Sequence, residues 1–285
     1  MDLIIYLLIV AASVAQSAAT KAFNRRSAHS AVFNAVKAGT ALILFALMAA
    51  PGFQFHLPTL LFGLVYGGGL CPSMYAGYRA LCLGPMALTS MLVSFSVLIP
   101  LLWGVTVGQE TLNAVKCVAL LLLLCAIVLT NADKLRNGQK KQENHLLWLI
   151  FVGLTLLCNG VCSILQKQHQ TLYPEAYSRE FMFFAMLLCT MIFTFSALKK
   201  FSFQRIRETA GKRYGVLSGV TNGVANFLTL LLAGFENASV LFPVISAGTI
   251  LGALLCGRFI FKEKLKINHY AALIAGIVAV VLLKI

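Results

Sequence analysis

The sequence predicts an all-α, polytopic membrane protein with ten transmembrane helices in two inverted five-helix repeats. Three observations predict it. Hydrophobic residues make up 59% of the chain and charged residues 11%, against about 25% charged in a soluble domain. Ten mostly apolar runs approach the roughly 20 residues that a spanning helix requires, near 2–20, 31–50, 58–75, 85–107, 115–131, 146–166, 181–198, 215–234, 239–257 and 268–284. Finally, residues 63–110 have an echo at 215–263. Gly63, Gly67 and Cys71 recur as Gly215, Gly219 and Gly223 at an offset of 152, and Gln109-Glu110-Thr111-Leu112 recurs as Lys262-Glu263-Lys264-Leu265 at an offset of 153.

The gaps between runs are mostly short and leave no room for a soluble domain. The longest, ADKLRNGQKKQENH at 132–145, is a polar cytoplasmic linker between a first repeat, 1–131, and a second, 146–285. The first run starts at Asp2 and continues through polar residues to Lys21, which is not the pattern of a cleaved signal peptide. Nineteen of the twenty-three Lys and Arg, with Lys37 and Arg79 among them, fall in alternate gaps or just inside them, whereas Lys116, Lys167, Arg179 and Lys284 lie opposite. Lys and Arg in short loops accumulate on the cytoplasmic side, so both termini are expected outside the cell membrane. That bias accounts for the formal charge of +14 without a nucleic-acid surface. Five spans per repeat is an odd number, so the second repeat runs opposite to the first. Inverted repeats of this kind bind solutes near the midplane, where the halves meet.

Taken in order, the spans carry polar stripes. The first has Ser13, Gln16, Ser17 and Thr20 at i, i+3, i+4 and i+7, one face of a helix. The sixth has Thr155, Asn159, Ser163 and Gln166, and an offset of 146 pairs Ser13 with Asn159, Ser17 with Ser163 and Thr20 with Gln166. The third span brings Tyr75 and Tyr78 one turn apart, and Tyr75 corresponds to Phe227 in the echo; tyrosines also form interfacial belts. The fourth and ninth supply Ser90, Ser94, Pro100, Pro243, Ser246 and Thr249. The eighth places Ser218, Asn222, Asn226 and Thr229 beside its glycines. An amide facing lipid would cost several kcal/mol, so both asparagines face protein or water. Such residues also join helices through hydrogen bonds worth about 0.6 kcal/mol each. Four in register in each half favour the wall of a cavity, whose candidate substrate-binding residues are Gln16, Tyr75, Asn159, Ser163, Asn222 and Asn226.

No acid lies well inside a predicted span, and the five histidines fall in gaps or at span ends. A buried carboxylate is the usual mark of a proton relay or an organic-cation site. The eight cysteines lie in or at the ends of apolar runs, and Cys158 and Cys162 share a face without further ligands. They read as small packing residues, with neither a metal site nor a disulfide framework.

GPMALTSMLVSFSVLIPLLWGVTVGQETL and NASVLFPVISAGTILGALLCGRFIFKEKL, set in a five-plus-five arrangement, resemble the EamA branch of the drug/metabolite transporter superfamily. The corners depart from the usual Gly-Glu, reading Gly108-Gln109-Glu110 and Phe261-Lys262-Glu263. The resemblance implies a monomeric basket with a cavity lined by spans 1, 3, 4, 6, 8 and 9. The expected function is secondary transport of a small neutral or zwitterionic metabolite or drug by alternating access, with no cofactor, metal or catalytic residue. Its partners are the small-molecule substrate and the lipid bilayer. The competing readings are a proton-coupled multidrug or organic-cation exporter and, in a different class, an intramembrane lipid-modifying enzyme.

Overall fold

Apolar runs of this length have one stable solution in a bilayer, the helix, because every backbone N–H and C=O must be satisfied within the segment. A computed structural model describes residues 2–24, 30–83, 92–93, 95–108, 114–115, 117–122, 125, 145–174, 176–199, 213–259, 271, 274–275, 278–279 and 282. The described elements are helices α1 (Asp2–Asn24), α2 (Ser30–Ala49), α3 (Leu57–Leu83), α4 (Leu98–Thr106), α5 (His145–Leu172), α6 (Ser178–Leu198), α7 (Tyr214–Phe235) and α8 (Ala238–Phe259), with 3₁₀ turns at Ala50–Gly52 and Phe95–Val97. Six of them, α1, α2, α3, α5, α6 and α7, are long and apolar enough to cross a membrane. The protein is a helical membrane protein. The 132–144 linker, Ser90, Ser94, Glu110 and Glu263 lie outside the described residues, as do most of the fifth and tenth predicted spans.

Two helices outrun their hydropathy. The third span is predicted to end near 75, yet α3 continues to Leu83; the sixth is predicted to end near 166, yet α5 continues to Leu172. The α5 extension is polar, and Lys167, His169 and Gln170 find hydrogen-bond partners within the protein, whereas the α3 extension carries Arg79 among mostly apolar residues. His169 lies in the last turn of the extended α5, at a span end as expected, and is fully buried there.

Large apolar side chains point outward, among them Leu7 and Leu8 on α1, Leu47 on α2, Leu61 and Val65 on α3, and Met191 and Phe195 on α6. Bilayer hydrocarbon is the environment in which such a belt is stable. The cysteines divide. Cys71, Cys162 and Cys189 are buried as packing residues, but Cys82, Cys117 and Cys125 are exposed, which corrects their assignment to the interior.

Glycines set the closest approaches, and they also reveal direction. A Cβ on Gly63 would meet Phe181 and Phe184, one on Gly67 would meet Ala185, and the Cys71 thiol donates to the Cys189 sulfur at 3.1 Å. Thus α3 and α6 run the same way. Gly219 lies on Lys37 and Thr40, and Gly223 on Ala41, Leu44 and Phe45, so α7 and α2 are likewise parallel. In contrast, Gly69 meets Cys162, Ser73 meets Asn159 and Gly77 meets Thr155; α3 and α5 are antiparallel. The bundle completes itself with α1 on α7 and α8, α2 on α6, α4 on α5 and α8, and α5 on α7.

Candidate functional site

The polar stripes converge on one cavity of about 500 Å³, within the range of small-molecule sites. Its wall comes from both halves of the chain. Helix α1 gives Ser13, Gln16, Ser17 and Thr20; α3 gives Tyr66, Ser73 and Tyr78; α5 gives Thr155, Asn159, Ser163 and Gln166; α7 gives Asn222, Asn226 and Thr229; and α8 gives Ser246 and Thr249. Val93 and Ser96 add the fourth predicted span. Helix α2 also contributes, through Phe33, Asn34 and Lys37, which adds a wall to the six expected.

Hydroxyls and amides behave differently in this wall. The hydroxyls of Ser17, Thr20, Thr155, Ser163 and Thr229 donate to the carbonyl one turn back on their own helices, at 2.7–3.0 Å. Each is satisfied locally and keeps only acceptor lone pairs for anything in the cavity. The amides also reach across helices, although Asn226 Nδ2 donates to the Asn222 carbonyl of its own helix at 2.9 Å. Asn222 Nδ2 donates to Gln16 Oε1 at 3.4 Å, Ser73 donates to Asn159 Oδ1, and the Tyr66 hydroxyl donates to Asn226 Oδ1 at 2.9 Å while accepting from Gln166 Nε2 at 3.1 Å. Asn222 is 5% exposed, and its Oδ1 has no partner among the described residues.

Five of the six candidates, Gln16, Asn159, Ser163, Asn222 and Asn226, thus lie together on the cavity wall. Tyr75 does not. It is 40% exposed on the outer face of α3, with its ring edge-on to Phe151 at 6.1 Å. Helix geometry explains the difference: Tyr66 is nine residues before Tyr75, which at 100° per residue is half a turn away. The cavity face of α3 runs through Tyr66, Leu70, Ser73, Gly77 and Tyr78. Tyr66 is therefore the aromatic that the spacing argument missed, and its i, i+7 and i+11 relation to Ser73 and Gly77 was the available signal. Tyr78, which sequence places nearer an interfacial belt, is buried against Phe33, with ring centroids 6.0 Å apart.

Lys37 requires a correction of another kind. Counted with the loop charges, it lies seven residues inside α2, ~10 Å from the helix start at 1.5 Å per residue, and is only 7% exposed. No hydrogen bond or ion pair engages its ammonium among the described residues, and its side chain lines the cavity.

At the far end of the bundle polar and aromatic groups interlock, beside a second pocket of about 500 Å³ lined by Gly52, Gln54, Tyr177, Glu180, Phe227 and Leu231. His56 Nδ1 lies 2.9 Å from Thr59 Oγ1, which lies 3.2 Å from His169 Nε2. Gln170 Nε2 contacts His169 Nδ1 at 3.1 Å and donates to Ser178 Oγ at 2.9 Å. His56 stacks on Tyr177 with centroids 4.4 Å apart, and Phe181 packs on His169 at 4.6 Å. Lys167 Nζ donates to the carbonyls of Ala233 at 3.0 Å and Glu236 at 2.7 Å, capping α7 where its dipole favours a cation. These groups come from the ends of α5 and α7 and the starts of α3 and α6. The cavity residues run from the middle of the bundle, at Tyr66, Gln166 and Asn226, toward the opposite end, where α2 begins with Phe33, Asn34 and Lys37.

No protein-family model and no curated protein matches the chain. Twenty-eight chains of known structure do match. One, described only as the crystal structure of a protein, superposes with a TM-score of 0.75 over 99% of this chain and 98% of its own, at 12% sequence identity. The likeness is one of fold.

Proposed function

We propose that this protein is a secondary transporter of the EamA type, in which ten helices in two inverted repeats carry a small polar solute, neutral or zwitterionic overall, across the cell membrane by alternating access. The observation that carries the reading is the cavity itself. Hydroxyls and amides from both halves of the chain line it, and the His56–Thr59–His169 cluster lies beyond one end of it. Taking the Lys/Arg-rich gaps as cytoplasmic, the cavity faces the cytoplasm and the His56–Thr59–His169 cluster faces outside.

The packing supports an inverted repeat. Exchanging the halves swaps α1 with α5, α2 with α6, α3 with α7 and α4 with α8. The α1–α7 contact then becomes α5–α3, α2–α7 becomes α6–α3, and α1–α8 becomes α5–α4; all six occur. Three contacts lack a counterpart among the described residues, and the largest is α5 on α7, whose mirror would join α1 to α3. This is the asymmetry expected of a carrier caught with one gate shut, because the opposite state would bring α1 onto α3 and part α5 from α7.

Flux of labelled solutes into liposomes tests the reading, together with paired cysteines in a background lacking the native ones. Gln166→Cys with Asn226→Cys spans the shut gate, and Thr20→Cys with Met74→Cys spans the corresponding open one. The first pair is expected to cross-link at rest and the second to gain cross-linking when a transported solute is added. Flux of no solute, or a second pair that never cross-links while flux proceeds, overturns it.

A further inference from the structure

Resting on the carrier reading, we propose that the solute bears a carboxylate and that the Lys37 ammonium receives it. The inference starts from a contrast between two lysines in long apolar helices. Lys167 is fully engaged, its ammonium donating to two backbone carbonyls at the end of α7. Lys37, seven residues inside α2, is more deeply buried, yet its ammonium has no acceptor among the described residues, and it faces the cavity.

A lysine at the centre of a membrane helix costs about 2.5–3.5 kcal/mol even where it finds water. A packing role gives no reason to bear that cost, because the matching position on the other tight interface is Ala185. No carboxylate lines the cavity among the described residues. Glu180 is at the far end, accepting from the Gln54 backbone N–H at 3.2 Å, and Glu236 is in the α7–α8 turn. Among the described residues the cavity therefore holds one positive charge in a wall otherwise made of uncharged polar, aromatic and aliphatic side chains. A charge-assisted hydrogen bond to an ionised oxygen is the strongest contact such an ammonium makes.

One cation balances one negative charge. A carboxylate meets that condition, whereas a phosphate monoester carries nearly two and would leave the second unpaired. A cationic solute would be repelled, and an uncharged one would leave Lys37 as unpaired as before. Beside Lys37, the Asn34 amide and the Phe33 and Tyr78 rings supply polar and apolar surface for the rest of the solute.

The test uses the detergent-purified full chain and matched pairs of probes: the zwitterion leucine with leucinamide, N-acetylleucine with N-acetylleucinamide, and lactate with lactamide. Glycerol phosphate, glucose and tetraethylammonium serve as the other charge classes. Affinity is read from thermal shifts and calorimetry for the wild type, Lys37→Met and Lys37→Arg. The expected result is that an acid binds and its amide binds on the order of thirtyfold more weakly, the lower edge of what loss of one partner costs a desolvated charge pair. Lys37→Met should lose the acid by a similar factor and cease to distinguish acid from amide, whereas Lys37→Arg should still distinguish them. If Lys37→Met fails to fold, the acid–amide difference in the wild type and Lys37→Arg decides.

The proposal is overturned if acid and amide bind alike, if no acid in the panel binds, if only glycerol phosphate, glucose or tetraethylammonium binds, or if folded Lys37→Met holds the acid as the wild type does. The carrier reading fails separately. An acid that binds through Lys37 but never crosses the liposome membrane would keep the site and remove the transporter, and uptake of an uncharged solute unaffected by Lys37→Met would do the reverse.

Discussion

Two glycine-lined interfaces hold this molecule together, and only one of them carries a charge. In the first, Gly63, Gly67 and Cys71 of α3 lie on Phe181, Ala185 and Cys189 of α6; in the second, Gly219 and Gly223 of α7 lie on Lys37, Ala41 and Phe45 of α2. The backbones come equally close. A Cβ on Gly67 would sit 2.8 Å from the Ala185 carbonyl oxygen, and one on Gly219 would sit 2.5 Å from that of Lys37. Yet Ala185 is wholly enclosed, whereas the Lys37 side chain turns into the cavity. The lesson is that close packing constrains the backbone and the small residue facing it, and leaves the side chain beyond free to take on another task.

Substitutions that exchange the two interfaces probe this most sharply. Ala185→Lys places an ammonium in a dry interface with no cavity to enter, at a cost of about 3 kcal/mol or more, and should leave little monodisperse protein on size-exclusion chromatography. Gly67→Ala and Gly219→Ala each force a backbone shift and should lower stability by about 1–3 kcal/mol, measured by denaturant titration of tryptophan fluorescence. Similar losses would sustain the comparison; a far milder Gly219→Ala would show that the cavity side yields. Tyr66→Phe removes the hydroxyl shared by Asn226 and Gln166 and should cost about 1–2 kcal/mol. Smallest is Lys37→Ala, expected to change stability by less than about 1 kcal/mol, because removing a buried charge that has no partner is often neutral or stabilising. A large loss there would mean that Lys37 has a structural partner after all.

Much of the wall was readable from spacing alone. Gln16, Asn159, Asn222 and Asn226 are amides at helical intervals in apolar runs, and lipid excludes an unpaired amide so strongly that their inward direction follows. The glycine ridges were readable for the same reason, since a period of four marks one face. Direction failed where chemistry is ambivalent. A tyrosine is at home in an interface or a core, and the correspondence of Tyr75 to Phe227 in the echo points to Tyr75 where the helical phase points to Tyr66. Lys37 was hidden by the counting of basic residues near span ends, which does not distinguish a lysine reaching out to water from one turned into a cavity. The burial of His169 was hidden by local polarity: Gln166-Lys167-Gln168-His169-Gln170 resembles a loop in hydropathy, and only tertiary partners make it a helix.

The two tight interfaces also have a consequence for how the chain is made. Each joins a helix from one half to a helix from the other, so neither half covers its own glycine face. The contact between Cys71 and Cys189 spans 118 residues, and at about 5–20 residues per second of synthesis the face of α3 is bare for roughly 6–24 s before α6 is made. Throughout that interval the nascent first half is an open clasp, vulnerable to wrong neighbours and to quality-control proteases. The second half, emerging later, finds its partner already waiting.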